Sequence, residues 1–261
     1  MTAVKDVPNP PPPGQIAEMM RRRGLKEWVL TVTGAHQLTP YVRRVTAKVE
    51  GEGAFEPKPG QDLVLLLPDT QGNLGRRHYT VRRYDAGEGV VDIDVVIHSK
   101  TSPGARWALE AQAGDTVQAF GPRGRNVVQP GADWRLFVGD ETCIPAILGM
   151  IETLPENAKA HAIIEIPDDA ERQAPAAGAA TIDWISRGGA PAAPMSAALI
   201  DALAAYEPPE GRGHVYVLGE TSTIRRQRHD LIARGFGKDQ IFGEGYWRPG
   251  RVGGHDHLEE H

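Results

Sequence analysis

The sequence predicts two domains, a six-stranded antiparallel β-barrel followed by an α/β domain with a parallel sheet. Short β-rich runs separated by turn signals fill residues 27–129, a pattern typical of antiparallel barrels. Strands alternate with helices from residue 130 onward, as they do around a parallel sheet. Residues 1–128 carry 17 Lys and Arg against 14 Asp and Glu, whereas residues 129–261 carry 12 against 20. This change in the sign of the charge also supports two domains.

Domain boundaries are predicted from changes in composition and in the pattern of predicted strands and helices. Residues 1–26 include a proline tract and are predicted to form a flexible arm, with a short helix near Met19–Arg23. The barrel is assigned to residues 27–129 and the α/β domain to residues 130–245. Residues 246–261 are predicted to form a C-terminal tail.

The barrel strands are identified by their composition and by their alternation. In the run VVDIDVVI, apolar residues alternate with Asp92 and Asp94, which is typical of a half-buried strand. A helix from Pro103 to Ala113 precedes the last strand. The six predicted strands are EWVLTVT, YVRRVTAKV, DLVLLL, HYTVRRY, VVDIDVVI and DTVQAF.

Residues 130–245 show a repeated pattern of predicted strands and helices. Its predicted strands are WRLFVG, HAIIEI, TIDWI and HVYVLG, and its predicted helices are CIPAILGMIETL, SAALIDALAAY and STIRRQRHDLIARG. In open parallel sheets, ligands bind outside the carboxyl ends of the strands. Residues that follow these strands are therefore candidates for a binding site.

Composition excludes several classes of protein. No apolar run approaches the roughly 18 residues that span a bilayer, and the first residues lack the apolar core of a signal peptide. The single cysteine excludes an internal disulfide. The first half is only mildly basic, which argues against nucleic-acid binding. We expect a cytoplasmic monomer without stable membrane association.

The stretch Arg77-His78-Tyr79-Thr80 has the residue types that a flavin site needs. Arg77 and Tyr79 share one face of a strand because side chains alternate with a period of two. An arginine fork suits a phosphate, a tyrosine ring suits a flat conjugated ring, and the Thr80 hydroxyl can reach a ring nitrogen or oxygen. An ordinary edge strand would explain these four residues alone, but their place in a barrel ahead of an α/β domain favours a flavin.

The segment that follows His98 has the features of a pyrophosphate site. A Gly/Pro turn leads into a helix at about Ala105, and the free N–H groups at a helix start attract phosphate. Gly104 has no side chain to block close approach. His98 either contacts the flavin or closes its strand, and Trp107 fits core packing better than a ligand role.

The stretch Val138–Leu148 (VGDETCIPAIL) is the first strand-to-helix turn of the sheet, where a dinucleotide phosphate would rest. It lacks the G-x-G-x-x-G fingerprint. Asp140 and Glu141 fit turn and helix-start residues, and Thr142 fits a helix cap or a ligand. Farther along, Arg225 is predicted to meet a cofactor phosphate or to lie on a solvated helix face.

The motifs RxYTxR, DxDxxxH, GPRG, GDETxxPA, IEI, GE and GYWRxG occur in this order over residues 27–250. This series resembles the siderophore-interacting protein family, which comprises flavin-dependent ferric-siderophore reductases within the wider ferredoxin-reductase-like superfamily. Two departures are that Cys143-Ile144 replaces the more usual Ala-Leu and that the turn at residues 99–106 is longer.

The resemblance implies a bound FAD in the barrel, a nicotinamide dinucleotide on the α/β domain, and reduction of an imported ferric siderophore that releases Fe(II). It implies neither a metal ligand set nor a catalytic side chain in the chain itself. The resemblance places FAD on Arg77, Tyr79, Thr80, Arg82 and the turn from His98 to Ala105. The full set of predicted FAD contacts is Arg77, His78, Tyr79, Thr80, Val81, Arg82, Asp94, His98, Gly104, Ala105, Trp107 and Trp247. The predicted NAD(P)H contacts are Asp140, Glu141, Thr142, Glu220 and Arg225, and the predicted siderophore contacts, on a basic rim, are Lys48, Arg123 and Arg248.

The electron donor and the acceptor both stay open. Acidic residues after the second sheet strand favour NADH, nearby arginines favour NADPH, and some relatives use reduced ferredoxin instead. A general flavin or ferric-chelate reductase would use the same fold. A siderophore-binding module without turnover is the alternative of another class.

Overall fold

The structure is a computed structural model that describes residues 13–250 and the short strand Asp256–His257. Its first half contains a seven-stranded antiparallel sheet in the order β4-β3-β7-β1-β2-β6-β5, and its second half contains a mainly parallel six-stranded sheet. The predicted combination of an antiparallel β domain and a parallel α/β domain is confirmed. The strands of the first sheet are β1 (Glu27–Thr39), β2 (Val42–Gly51), β3 (Asp62–Pro68), β4 (Leu74–Thr80), β5 (Arg83–Asp85), β6 (Val90–Val96) and β7 (Thr116–Arg123).

The first sheet has seven strands instead of the predicted six because the run HYTVRRY changes partner halfway. The backbone N–H of Val81 donates to the Gln61 carbonyl at 2.9 Å, beside β3. The next N–H, of Arg82, donates to the Asp92 carbonyl in β6 at 3.0 Å. The chain therefore crosses from one edge of the sheet to the other at Val81–Arg82, and this crossing closes the barrel.

The continuous apolar run of β3 is explained by burial on both of its faces. Leu63, Leu65 and Leu67 belong to the barrel core. Val64 and Leu66 face the other way and pack beneath the helix α1 (Pro13–Arg22). A strand that is covered on both faces has no polar alternation.

The prediction of a flexible arm over residues 1–26 is wrong for residues 13–22, which form α1. Ile16, Ala17 and Met20 recur at helical spacing and are at most 5% exposed against the barrel. Burial of this stripe stabilises a helix that its own propensity would not maintain in isolation. The part of the arm before residue 13 lies outside the described residues.

The helix α2 (Pro103–Glu110) covers the barrel between β6 and β7. It begins at the N-cap Ser102, whose hydroxyl accepts the N–H of Ala105, and it ends three residues before the predicted limit. Ala108 is fully buried in the barrel core. The start of α2 is thereby fixed beside β4.

The second sheet has the order β10-β9-β8-β11-β12-β13. Its first five strands are parallel, and β13 is antiparallel to β12. The strands are β8 (Trp134–Asp140), β9 (Lys159–Ile166), β10 (Thr181–Ser186), β11 (Gly213–Glu220), β12 (Ile241–Trp247) and β13 (Asp256–His257). The helices are α3 (Ile144–Ile151), which lies on one face, and α4 (Ala197–Ala205) and α5 (Thr221–Ala233), which lie on the other.

Polar contacts join the two halves of the chain. The Arg82 guanidinium donates to both oxygens of Glu152 at 2.7 and 2.6 Å. The fully buried Glu171 carboxylate accepts the Thr39 hydroxyl at 2.5 Å and the Tyr41 N–H at 2.8 Å. These bonds hold the end of α3 and the segment after β9 against the barrel. Over the described residues, no helix has the length and apolar character needed to cross a membrane.

Candidate functional site

Arg77 has the properties of a phosphate ligand. It is half-buried on β4, and its one hydrogen bond, at 2.8 Å, goes to the carbonyl of the adjacent Arg76. Burial lowers the pKa of Arg77 below its ordinary value, although Tyr79 and Asp69 oppose this shift. Across the described part of the chain, no carboxylate lies within ion-pair distance of it. A half-buried guanidinium without an anionic partner fits a bound phosphate.

Tyr79 lies on the same face of β4 and contacts the start of α2. Burial raises the pKa of Tyr79 to about 12, so its hydroxyl stays protonated at neutral pH. A Cβ atom added at Gly104 would lie 1.5 Å from the Tyr79 hydroxyl oxygen. The ring of Trp107 lies 6.1 Å from that of Tyr79 and packs against the barrel core. Only glycine at position 104 therefore lets β4 and the first turn of α2 meet.

Arg77, Tyr79 and the start of α2 together fit the FAD that the barrel is predicted to hold. The arginine supplies a cation, the helix start supplies backbone N–H groups, and Gly104 lets Tyr79 pack against that helix start. The Tyr79 ring supplies a flat face beside them.

Replacement of Gly104 by alanine should weaken FAD binding by about tenfold or more, because the new methyl group displaces the Tyr79 ring. A fluorescence titration of apoprotein with FAD measures the change. Gly34→Ala is the matched control, because no atom lies within 4 Å of its added Cβ. Equal FAD affinity in the two variants would contradict this role for Gly104.

A chain of hydrogen bonds links β4 to the carboxyl ends of the parallel strands. Thr80 is buried and bonds to Tyr246, whose pKa burial raises well above its ordinary value. The next residue, Trp247, donates its indole N–H to Asp140 at 2.8 Å. Burial, followed by the charge of Glu141, raises the pKa of Asp140. The sequence predicts that Trp247 lies beside the β4 site. In the structure, Trp247 follows the residue that bonds to Thr80, and Asp140 orients its indole ring.

A cavity of about 490 Å³ opens between the end of β6 and the carboxyl ends of the parallel strands. Trp247 and Thr142 line it from the α/β side, and His98, half exposed, lines it from the barrel side. It lies at the carboxyl ends of parallel strands, where open α/β sheets bind ligands. The remaining lining residues include Tyr41, Val96, Ile97, Glu141, Pro167, Arg187 and residues 189–192.

Two residues predicted to contact FAD form ion pairs with other residues of the protein. Arg82 binds Glu152 as described above, and its side chain is 8% exposed. Asp94 accepts two hydrogen bonds from Arg44 at 2.6 and 2.8 Å. The predicted roles of Arg82 and Asp94 as flavin contacts conflict with these bonds. Alternation along the strand could not show that both side chains have partners elsewhere in the fold.

Two further predicted FAD contacts point away from the β4 site. The Val81 side chain is buried in the barrel core. His78 lies on the face of β4 opposite Arg77 and Tyr79, and its Nδ1 atom lies 2.7 Å from the Asp62 carboxylate. Ala105 is buried in the first turn of α2, next to Gly104.

Three residues predicted to contact NAD(P)H are also bonded within the chain. Asp140 orients Trp247 and caps the 3-10 turn after β8. Glu141 is 1% exposed and accepts two hydrogen bonds from Arg187 at 2.8 and 2.7 Å. Glu220 caps α5. These bonds conflict with a role for the three carboxylates in holding a dinucleotide.

The other two predicted NAD(P)H contacts remain accessible. Thr142 lines the cavity, although its hydroxyl donates to Asp140. Arg225 is exposed on α5.

The three predicted siderophore contacts do not form one group. Arg123 ends β7 and lies 3.6 Å from the Asp62 carboxylate. Three residues later, Asn126 donates to Glu244 in β12 at 2.9 Å, and the exposed Arg248 follows Glu244 by four residues. Lys48 is exposed on β2 and aligns, through β1, with the start of β7. Arg123 lies seven residues farther along that strand, about 23 Å at about 3.3 Å per residue, so Lys48 is not part of this rim.

Arg187 and Tyr41 are two of the cavity's lining residues that the sequence did not predict. Arg187 follows the strand TIDWI, so its place after a parallel strand was a usable signal. Tyr41 comes from the β1–β2 hairpin, and no sequence pattern indicated that this turn reaches the α/β domain. Within residues 13–250, no group of three or more His, Cys, Asp or Glu side chains could hold a metal ion.

Two family models match the chain. The family described as siderophore-interacting protein matches residues 132–250. The family described as siderophore-interacting FAD-binding domain matches residues 71–126, which include β4 and α2.

Individual relatives agree with these matches. The ferric vibriobactin reductase ViuB of Vibrio cholerae is 32% identical over 191 residues, which cover 71% of this chain and 69% of that protein. An uncharacterized protein of Mycobacterium tuberculosis is 31% identical over 255 residues, covering 85% and 90% of the two chains. The crystal structure of a siderophore utilization protein from T. fusca superposes with a TM-score of 0.78 at 34% identity, covering 87% of this chain and 95% of that one.

Proposed function

Because the chain belongs to the siderophore-interacting protein family, we propose that it is an FAD-dependent reductase that acts on ferric siderophores. The observation that carries this proposal is the β4–α2 site, where a half-buried arginine without an anionic partner shares one face of β4 with Tyr79, which packs against Gly104. The similarity to ferric vibriobactin reductase supports an oxidoreductase of this kind. Its proposed location is the cytoplasm.

In this proposal, the residues of the site divide the task of holding FAD. Arg77 and the start of α2 bind the phosphates, and Tyr79 contacts the ring system, whereas Thr80, on the opposite face of β4, bonds to Tyr246. Trp247, oriented by Asp140, covers the cofactor from the α/β side. Bound FAD supplies the ability to accept two electrons together and to release them singly. The buried Thr80 and its bond to the partly buried Tyr246 would exclude water from the end of β4.

The iron is proposed to arrive held by the siderophore's own oxygen atoms. Hard oxygen ligands bind Fe(III) more strongly than Fe(II), so reduction weakens the complex and releases the metal. A ferric catecholate complex is anionic, and Arg123 and Arg248 would attract it to the rim. One NADH or NADPH then supplies the electrons for two ferric ions, whereas one reduced ferredoxin cluster supplies the electron for one. NADH, NADPH and reduced ferredoxin are the candidate donors.

The direct test uses protein that has been reconstituted with FAD and then reduced chemically. Mixing with a ferric siderophore should reoxidise the flavin and produce Fe(II), detected by a ferrous-specific chelator. Failure of the protein to bind FAD, or of the reduced protein to yield Fe(II), would contradict the proposal. Faster reduction of free flavin than of the ferric complex would instead indicate a general flavin reductase.

The proposed rim predicts a charge-dependent affinity. Arg123→Ala and Arg248→Ala should each raise KM for an anionic ferric catecholate by about five- to tenfold, because each removes one attractive charge at the site. KM for a neutral ferric hydroxamate should change little. Lys48→Ala is the control, because the structure separates it from the rim. An unchanged KM for the catecholate in both arginine variants would remove the rim from the proposal.

A further inference from the structure

We propose that this protein recognises a reduced nicotinamide donor by its nicotinamide–ribose end alone, because its own carboxylates fill the positions where the fold would hold the dinucleotide's phosphates. This inference rests on the proposed function as an FAD-dependent reductase. It concerns the donor's phosphate contacts only. The supporting contacts lie at the carboxyl ends of two neighbouring strands, β8 and β11.

The first occupied position is the turn after β8. There the Asp140 carboxylate accepts the hydrogen bonds that a bound phosphate would otherwise accept. This carboxylate accepts the N–H of Thr142 at 2.9 Å and the N–H of Glu220 at 3.0 Å. The indole N–H of Trp247 is the third donor, at 2.8 Å. Asp140 is 3% exposed, so a phosphate could reach these N–H groups only by expelling a buried side chain.

The second occupied position is the turn after β11, at the start of α5. The Glu220 carboxylate accepts the N–H groups of Ser222 and Thr223 at 2.9 and 2.8 Å, and it accepts both hydroxyl groups as well. The N–H of Met195 completes this set at 3.2 Å. A helix start normally attracts phosphate through such N–H groups, and here an internal anion has already bound them.

The net charge of this edge also opposes a pyrophosphate. Asp140, Glu141, Glu165 and Glu220 lie at the carboxyl ends of three neighbouring strands. Arg187 is shared between two of these carboxylates, at 2.7 Å from Glu141 and 3.7 Å from Glu165. A dinucleotide would add two more negative charges to a partly buried site that already has an excess of them, which is unfavourable at low dielectric.

The nicotinamide end meets a different environment. The cavity beside Trp247 has an aromatic wall, and Thr142 and His98 line it. These groups can contact an uncharged ring and a ribose without using the occupied N–H groups. The adenylate half of a dinucleotide would then extend into solvent, so its removal should change little.

The experiment compares NADPH, NADH, reduced nicotinamide mononucleotide and the phosphate-free reduced nicotinamide riboside as donors to the FAD-loaded full chain in stopped-flow. We expect the second-order rate constants for flavin reduction to agree within about fivefold, because the lost contacts contribute little free energy. A dinucleotide that exceeds the mononucleotide by about thirtyfold or more would overturn the inference.

Arg225 provides a second test, because it is an exposed cation on α5 that could hold an adenylate phosphate. Arg225→Ala should leave the rate constants for NADPH and for the mononucleotide unchanged. A loss of about tenfold confined to NADPH would assign the adenylate half to α5 and overturn the inference.

A binding measurement keeps the inference testable if no nicotinamide reduces the flavin. Calorimetry with 2′,5′-ADP should detect no binding up to millimolar concentration, whereas a Kd below about 100 μM would overturn the inference. The reoxidation of chemically reduced protein by ferric siderophore tests the proposed function without any nicotinamide. The two proposals therefore fail in different experiments.

Discussion

Replacement of Arg77 by alanine should yield a protein that no longer retains FAD during purification. The guanidinium is half-buried, and its one hydrogen bond goes to a neighbouring carbonyl, so its charge is available to a phosphate. A charge-assisted contact of this kind is worth about 1.5–3 kcal/mol, which corresponds to a rise in Kd of about 10- to 150-fold. Absorbance at the flavin band and a titration of apoprotein with FAD measure the loss.

Arg76→Ala is the matched control for this variant. Arg76 is the adjacent arginine and lies on the opposite face of β4, because side chains alternate along a strand. It should retain FAD with nearly unchanged affinity and should show whether the strand tolerates loss of an arginine. Retention of FAD by Arg77→Ala at the level of Arg76→Ala would remove Arg77 from the site.

Loss of one partner of the Arg82–Glu152 pair should lower the free energy of unfolding by about 3 kcal/mol, because an uncompensated charge is then left buried. Urea denaturation of Arg82→Met and Glu152→Gln measures this change. The double variant Arg82→Met with Glu152→Leu should recover much of the stability, since apolar groups can replace a buried pair at small cost. Arg226→Ala, which breaks an exposed pair with Asp230, should cost no more than about 0.5 kcal/mol.

The same pair predicts a dependence of stability on pH. Burial opposes the ionisation of Glu152, but hydrogen bonds from Arg82 and from the Ala176 N–H outweigh it and hold the pKa of Glu152 below its ordinary value. The stabilisation is therefore complete above the ordinary glutamate pKa of about 4.3 and is lost as the pH falls through the folded-state pKa. The wild type should lose more stability on acidification than Arg82→Met does. Parallel losses in the two proteins would contradict this assignment.

Local sequence pattern determined the fold class and the centre of the site. Side-chain alternation along a strand is a property of a few neighbouring residues, so it correctly put Arg77 and Tyr79 on one face. The Gly/Pro turn before Ala105 likewise predicted a helix start, which the structure places against Tyr79. The alternation of strands and helices predicted a parallel sheet because crossover connections require it. The order of the motifs was sufficient to indicate the family.

Only the tertiary structure decided which charges are free. Arg82 and Glu152 are 70 residues apart, Asp140 and Trp247 are 107 apart, and Thr39 and Glu171 are 132 apart. No periodicity of a strand or helix extends over such distances. Asp94 and Glu220 have the residue types of ligands, yet they act as internal partners because a buried carboxylate must be paired or hydrogen-bonded. The sequence by itself therefore determined the fold class and predicted a flavin site, and the three-dimensional pairing of buried charges decided which of the remaining polar residues can reach a ligand.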